Sequence, residues 1–140
     1  KEGAKEILGM GREKGLPIAI ASNSRRQRVV DGILYSGIEG MVDMLVNGPD
    51  DLGPGKGKPE PDIYLETARR MSLDPMECLV IEDSLNGLLA AKAARMRCLV
   101  IPSRSTTGGE FRAADYYLPN LTYLTSGVVK YLETKNRSVI

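Results

Sequence analysis

Three residues of this chain could do chemistry together: Lys58 and, 24 positions further on, the adjacent carboxylates Glu82 and Asp83. Lys58 lies in the run Gly55-Lys56-Gly57-Lys58-Pro59-Glu60-Pro61-Asp62-Ile63-Tyr64. The acidic pair closes the apolar run Cys78-Leu79-Val80-Ile81 and opens Ser84-Leu85-Asn86-Gly87. A cation near two carboxylates at the end of a buried strand suits a metal ion and an anionic ligand held together. Glu82 and Asp83 are hard oxygen ligands of the kind Mg²⁺ takes. Neighbouring strand residues point to opposite faces, so both reach one ion only where the strand is ending, and one could instead act from behind the other. Asp83 or Ser84 could equally be no more than the cap of the helix that follows.

A fourth candidate is Ser22, in Ser22-Asn23-Ser24, at the end of the apolar run Leu16 to Ala21. A hydroxyl at a strand end, followed by the first amides of a helix, suits a phosphate oxygen, and it also suits a plain helix cap. Lys58 would neutralise phosphate as a compact point charge. Lys56 reads as solvated surface. The Gly-rich stretch 53–58 does not read as a nucleotide loop: no Gly-Lys is followed by Ser or Thr, and neither lysine has a glycine at the required spacing. Gly9-Met10-Gly11 lacks the third glycine of a dinucleotide fingerprint.

Those residues need elements to position them. The chain alternates helical and strand-like segments. Residues 2–14 read as a helix with Ala4, Ile7 and Leu8 on one face and Gly15 as its stop. Residues 16–21 read as a strand buried on both faces. The next helix carries Val29, Val30, Ile33 and Leu34 and ends at Gly37, with an N-cap offered by 22–24. A second strand is expected over 41–46 and a Gly/Pro/Asp-rich loop over 47–58. Pro61 suits the start of a helix that buries Ile63, Tyr64, Ala68 and Met71. Strands at 78–81 and 98–101 flank a helix over 84–95. A polar loop, a weak strand at 116–118, a helix over 122–133 and a frayed end complete the chain. Continuous apolar strands alternating with helices imply an α/β, doubly wound parallel sheet. In such sheets ligands bind beyond the carboxyl ends of the strands, which brings Ser22, Lys58 and Glu82-Asp83 to one rim.

Composition narrows the functions available. The 140 residues suffice for one domain with a core. Nineteen basic against 18 acidic residues, for a net charge of +1, argue against binding nucleic acid or an anionic membrane by bulk charge. No apolar run approaches a membrane span, and the first residues lack the apolar stretch of a signal peptide, so an intracellular, cytoplasmic setting is expected. Cys78 and Cys98, each in an apolar run, read as small buried hydrophobes. With no histidine in the chain, Ser-His-Asp and Cys-His catalysis and His-ligated zinc are excluded.

Ser22-Asn23-Ser24, then Gly57-Lys58-Pro59-Glu60-Pro61-Asp62-Ile63-Tyr64, then Val80-Ile81-Glu82-Asp83-Ser84-Leu85-Asn86-Gly87 resemble the second, third and fourth motifs of the haloacid dehalogenase superfamily of phosphohydrolases. The resemblance is greatest to the subgroup of β-phosphoglucomutase and small sugar-phosphate or nucleotide phosphatases, and it covers essentially the whole chain. It implies a Mg²⁺-dependent phosphatase or phosphomutase that acts on a small phosphorylated metabolite through an aspartyl-phosphate. Ser22 would hydrogen-bond the moving phosphoryl group and Asn23 would line the same pocket. Lys58 would bridge that group and the nucleophilic carboxylate. Asp83 would ligate Mg²⁺, with Glu82 ligating or supporting it, and Gly87 would let its helix pack close to the sheet.

The first motif of that family, a hydrophobic strand followed by Asp-x-Asp-Gly, is not found. Val29-Val30-Asp31-Gly32 has Val29 where the first aspartate belongs, and its periodicity is helical. Residues 1–140 therefore read as the C-terminal part of a family core domain, without the nucleophile, the first core strand and the cap domain. The resemblance places that missing strand between the strands ending at Ser22 and Glu82. A missing N-terminal segment, a second fragment or a rearranged sheet is then expected to fill the gap, because open apolar edges invite aggregation. Alone, the chain is expected to be inactive; a degenerate, non-catalytic interaction domain is the alternative. Arg95 stands where the family has a glycine at a left-handed helix end.

Overall fold

Apolar runs and amphipathic stretches alternate along the chain, and a computed structural model turns them into strands and helices in that order. It describes residues 3–103, 111–120 and 138–139. The elements are α1 (Ala4–Glu13), β1 (Ala19–Ser22), α2 (Arg26–Ser36), β2 (Met44–Asn47), α3 (Asp62–Arg70), β3 (Cys78–Glu82), α4 (Leu85–Ala93), β4 (Arg97–Val100), β5 (Tyr116–Tyr117) and β6 (Ser138–Val139). Every strand pair is parallel. The helix expected over 122–133 lies outside the described residues.

The strands form two sheets, β1-β2 and β5-β4-β3-β6. Ser22 pairs with Asn47 at the end of the first sheet, and Glu82 with Val100 at the end of the second. β1 and β3 are not hydrogen-bonded to each other. Ser138–Val139, expected to fray, instead runs beside Cys78–Leu79 on one edge of β3.

Alternation along β3 and β4 sorts their side chains onto two faces. Cys78, Val80, Cys98 and Val100 join Ala19, Val46, Ile63, Tyr64, Ala68, Leu88 and Ala91 in the main core, under α3 and α4. Leu79, Leu99 and Ile101 pack on the opposite face with Ala4 and Ile7 of α1. Helices on both faces of parallel strands make this a doubly wound α/β core. Core residues from both sheets meet α3, so α3 holds them together although no backbone ladder does. Both cysteines are buried and unlinked, and burial pushes the Cys98 thiol up to about 12. No described helix is long and apolar enough to cross a membrane.

Three local expectations, on the first strand, the second strand and the α2 cap, are corrected: the first strand starts at Ala19, not Leu16, and three of its four residues are only half-buried. The second strand starts at Met44, because Asp43 turns out to receive the Ile18 N–H at 2.8 Å and Arg12 at 2.6 Å. None of the apolar stripe of α2 is fully buried, and Leu34 is 57% exposed. The N-cap of α2 does not come from Ser22-Asn23-Ser24: Arg25 occupies the position, and Asp50, from the loop after β2, accepts the Arg26 N–H at 3.0 Å. Gly15 and Gly37 end their helices in the left-handed region as expected.

Arg95 also adopts that region, at φ +60°, where the turn after α4 is closed by Met96 N–H donating to Ala91 O. A side chain there is strained. Arg95→Gly is expected to raise stability by about 0.5–1 kcal/mol, the relieved strain less the added freedom of the unfolded chain. Urea unfolding of the two proteins measures it, and a loss of stability would contradict the reading.

Candidate functional site

The carboxyl ends of β1 and β3 are where the strand ladders stop and side chains can turn toward a ligand. Glu82, the last residue of β3, is only 8% exposed. Its carboxylate curls back over the start of α4. Oε2 receives the Ser84 hydroxyl at 2.9 Å and the backbone N–H groups of Asp83 and Ser84 at 3.2 and 3.4 Å. Oε1 receives the Tyr64 hydroxyl at 2.7 Å and the Lys58 ammonium. The Tyr64 ring also lies beneath Lys58, with Nζ 4.9 Å from the ring centroid, so Tyr64 meets both members of the pair. Burial works to raise the Glu82 carboxyl. The charge of Lys58 and hydrogen bonds from Lys58, Tyr64 and Ser84 outweigh it and hold the carboxyl below its ordinary value. Burial, then the Glu82 charge, push the Tyr64 hydroxyl far up, so it stays a neutral donor.

Gly87 explains how so large a side chain fits. A Cβ at position 87 would lie 1.9 Å from the Glu82 carboxyl carbon and 2.0 and 2.4 Å from its oxygens. The glycine therefore makes room for a carboxylate, a more specific demand than close packing of helix on sheet.

Ser84 settles which residue caps α4, since its hydroxyl accepts the Gly87 N–H at 3.1 Å. Asp83 is thereby released from the capping role and stands exposed just past β3. Both oxygens of Glu82 already hold protein donors. Among the described residues no group of three or more acidic, cysteine or histidine side chains is placed to hold a metal.

At the end of β1, Ser22 is half-buried and its Oγ accepts the Ser24 N–H at 3.1 Å. Asn23 grips the loop that carries Lys58: Oδ1 accepts the Lys58 N–H and Nδ2 donates to the Lys58 carbonyl, each at 2.9 Å. Lys56 is exposed. A cleft of about 410 Å³ opens here, lined by Asn23, Gly48, Gly57, Lys58 and Glu60 among others. The structure thus joins Asn23, Lys58 and Glu82 directly, with Ser22 and Asp83 as the chain neighbours of the first and last.

Two supporting residues escaped the sequence reading. Asn47, fully buried at the end of β2, donates to the Ser24 carbonyl and accepts the Asp50 N–H at 3.2 Å. Asp51 accepts the Asn47 N–H at 2.6 Å and pairs with Arg26 at 2.7 Å. That backbone hydrogen bond is the largest influence on Asp51; with Arg26 and Arg70 it outweighs burial and lowers the carboxyl. The only signal for them was Asn47-Gly48-Pro49-Asp50, a run that favours side-chain-to-backbone turns.

Comparison with known proteins gives these motifs their context. Residues 1–95 match the family model of the haloacid dehalogenase-like hydrolases. The chain is 38% identical over 121 residues to the bifunctional riboflavin kinase/FMN phosphatase of Arabidopsis thaliana, covering 85% of this chain and 31% of that protein. It is 33% identical over 125 residues to hexitol phosphatase B of Escherichia coli K12, covering 89% and 55%. The crystal structure of CbbY from Rhodobacter sphaeroides in complex with phosphate superposes with a TM-score of 0.80 at 30% identity, covering 89% of this chain and 55% of that one. The chain thus spans between about a third and just over half of the length of these relatives. With its parallel α/β core and a family match over most of its length, the chain belongs to the haloacid dehalogenase-like hydrolases.

Proposed function

We propose that this chain is the phosphoryl-binding part of a Mg²⁺-dependent phosphohydrolase, a phosphatase or phosphomutase for a small phosphorylated metabolite. The observation that carries this reading is the Lys58–Glu82–Tyr64 network. It fixes a cation at the carboxyl end of β3, beside the exposed Asp83, while Asn23 ties the same lysine to the end of β1. An ammonium has three donors, and Glu82 takes one, which leaves two for phosphoryl oxygens. Lys58 would neutralise charge on the transferring group, and the Ser22 hydroxyl would hydrogen-bond it. Asp83 would contribute one ligand to Mg²⁺, which would add electrostatic stabilisation once its other ligands are present. Of the two roles open to Glu82, its partners favour support over ligation.

The covalent step belongs to an aspartate that these residues do not contain. Its carboxylate would form a bond to phosphorus as the ester P–O bond breaks, and water or an acceptor hydroxyl would later take the phosphoryl group. These 140 residues alone are then inactive, though still able to bind inorganic phosphate.

Two measurements test the reading. Titration calorimetry with inorganic phosphate and Mg²⁺ is expected to show binding that Lys58→Ala weakens by about tenfold or more. p-Nitrophenyl phosphate is expected to be hydrolysed by a longer protein that carries Asp-x-Asp and not by these residues alone. Binding indifferent to Lys58→Ala would favour the non-catalytic interaction domain. Turnover by the 140 residues would refute the dependence on an outside nucleophile.

A further inference from the structure

The resemblance to the family implies that Asn23 lines the phosphate pocket, but the oxygen and one of the two N–H donors of its carboxamide are engaged elsewhere. Oδ1 and Nδ2 meet the N–H and the carbonyl of one residue, Lys58, at 2.9 Å each. That is the two-bond pattern by which one strand residue pairs with another across an antiparallel ladder. Two hydrogen bonds to one residue, one on each of its flanking peptide groups, fix its orientation as well as its distance. They therefore fix the direction in which the Lys58 side chain leaves the backbone.

The glycines of the loop answer to the same contact. A Cβ at Gly57 would lie 2.5 Å from Asn23 Oδ1, 2.9 Å from Cγ and 3.1 Å from Nδ2. The Gly57 backbone is not in the left-handed region, so space and not conformation requires glycine there. A Cβ at Gly48 would lie 3.4 Å from the same Oδ1 and 3.5 Å from Gly57 Cα. Asn23 thus sits in a slot that two neighbouring glycines leave open.

The slot has a consequence for the architecture. β1 and β3 belong to sheets that share no ladder. Lys58 crosses between them: its backbone is held by Asn23, just past β1, and its ammonium by Glu82, at the end of β3. Without Asn23, a loop holding Gly53, Gly55 and Gly57 would have to order itself around the lysine at an entropic cost.

We propose that Asn23 is a positioning residue that acts on a bound phosphoryl group only through Lys58. This rests on the phosphate-binding reading above. It assigns the Asn23 carboxamide to the loop and leaves direct contact with the anion to Lys58 and Ser22. Gly57 is part of the same device.

The test is a double-mutant cycle on the full 140-residue chain, with inorganic phosphate as the probe. Asn23→Ala and Gly57→Ala are each expected to weaken phosphate binding by about tenfold, and to add nothing in a Lys58→Ala background. Amide hydrogen exchange supplies a readout that needs no ligand. Exchange of the Lys58 N–H should speed up in both variants, while thermal melts show that each remains folded. Gly57→Ala leaves every side chain of the clamp intact and stands in if Asn23→Ala does not fold. Unchanged Lys58 exchange in both variants would overturn the clamp. An equal loss of affinity with and without Lys58 would show that Asn23 touches the anion itself and would overturn the proposal, leaving the functional reading in place. Faster Lys58 exchange, with phosphate binding indifferent to Lys58→Ala, would overturn the functional reading, and with it the role in binding, while the clamp stands.

Discussion

Gly87→Ala is expected to destabilise the protein by about 2–4 kcal/mol, against the usual direction of such a change. In the interior of an exposed helix, alanine in place of glycine gains about 1 kcal/mol. Here the added methyl would fall within 1.9–2.4 Å of the Glu82 carboxylate, a distance no non-bonded pair tolerates. Either α4 lifts from the sheet, opening the core around Leu88 and Ala91, or Glu82 leaves its site and abandons Lys58, Tyr64 and Ser84. Both cost more than helix propensity returns. Urea unfolding measures the sum, with Gly40→Ala as the control, because nothing lies within 4 Å of a Cβ there. Phosphate binding should fall along with stability, since Lys58 loses the group that holds it. A neutral or stabilising Gly87→Ala would mean that Glu82 does not occupy this position in solution.

Lys58→Met is expected to cost about 3 kcal/mol near pH 7, because it leaves a buried carboxylate without its counter-charge. The side chains of Lys58 and Glu82 are 13% and 7% exposed, so solvent screens little of the loss. The dependence on pH gives a sharper signature. With Lys58 present, the Glu82 carboxyl is held below its ordinary value of 4.5. The stability it contributes is present above that value and is lost as pH falls through the lowered one. With Lys58 gone, burial is the dominant influence and raises the carboxyl, so the variant gains stability as the pH falls and the group protonates. The difference between the two proteins should therefore shrink from about pH 7 to about pH 4. Unfolding curves at both values decide it. A gap that stays constant would place the cost in lost packing of the lysine stem and not in the charge.

Much of this could be read along the chain. Residues 78–81 have no polar alternation, which is the mark of a strand covered on both faces, and β3 is packed on both; the run 16–21 reads the same way, yet its strand starts at Ala19 and is mostly half-buried. Pro61 opened a helix that buries Ile63, Tyr64 and Ala68, while Met71 ends it half-buried. Arg95 stood where a left-handed turn was expected, and it adopts one. The misreadings have a common cause. Ser24 had the chemistry of a cap, but Asp50, which replaces it, is 26 residues away in sequence. The stripe Val29, Val30, Ile33, Leu34 has helical periodicity and is indeed a helix, yet periodicity says nothing about whether a covering partner is present. Asp43 looked like part of a strand because the two hydrogen bonds that turn it aside come from Arg12 and Ile18.

Sequence alone determined the element order, the doubly wound class and the identity of Ser22, Asn23, Lys58, Glu82 and Asp83 as candidates. Local periodicity and residue chemistry suffice for that. Tertiary structure alone decided what each candidate does with its polar atoms. Hydrogen bonding is a matter of a few tenths of an ångström between groups brought together from β1, the loop before α3, and the start of α4. Folding gave Glu82 to Lys58, Ser84 to the helix cap and Asn23 to the Lys58 backbone, and made Asp83 an exposed residue. No spacing along the chain encodes those choices, because each depends on where a residue at least two dozen positions away, or the next turn of a helix, comes to rest.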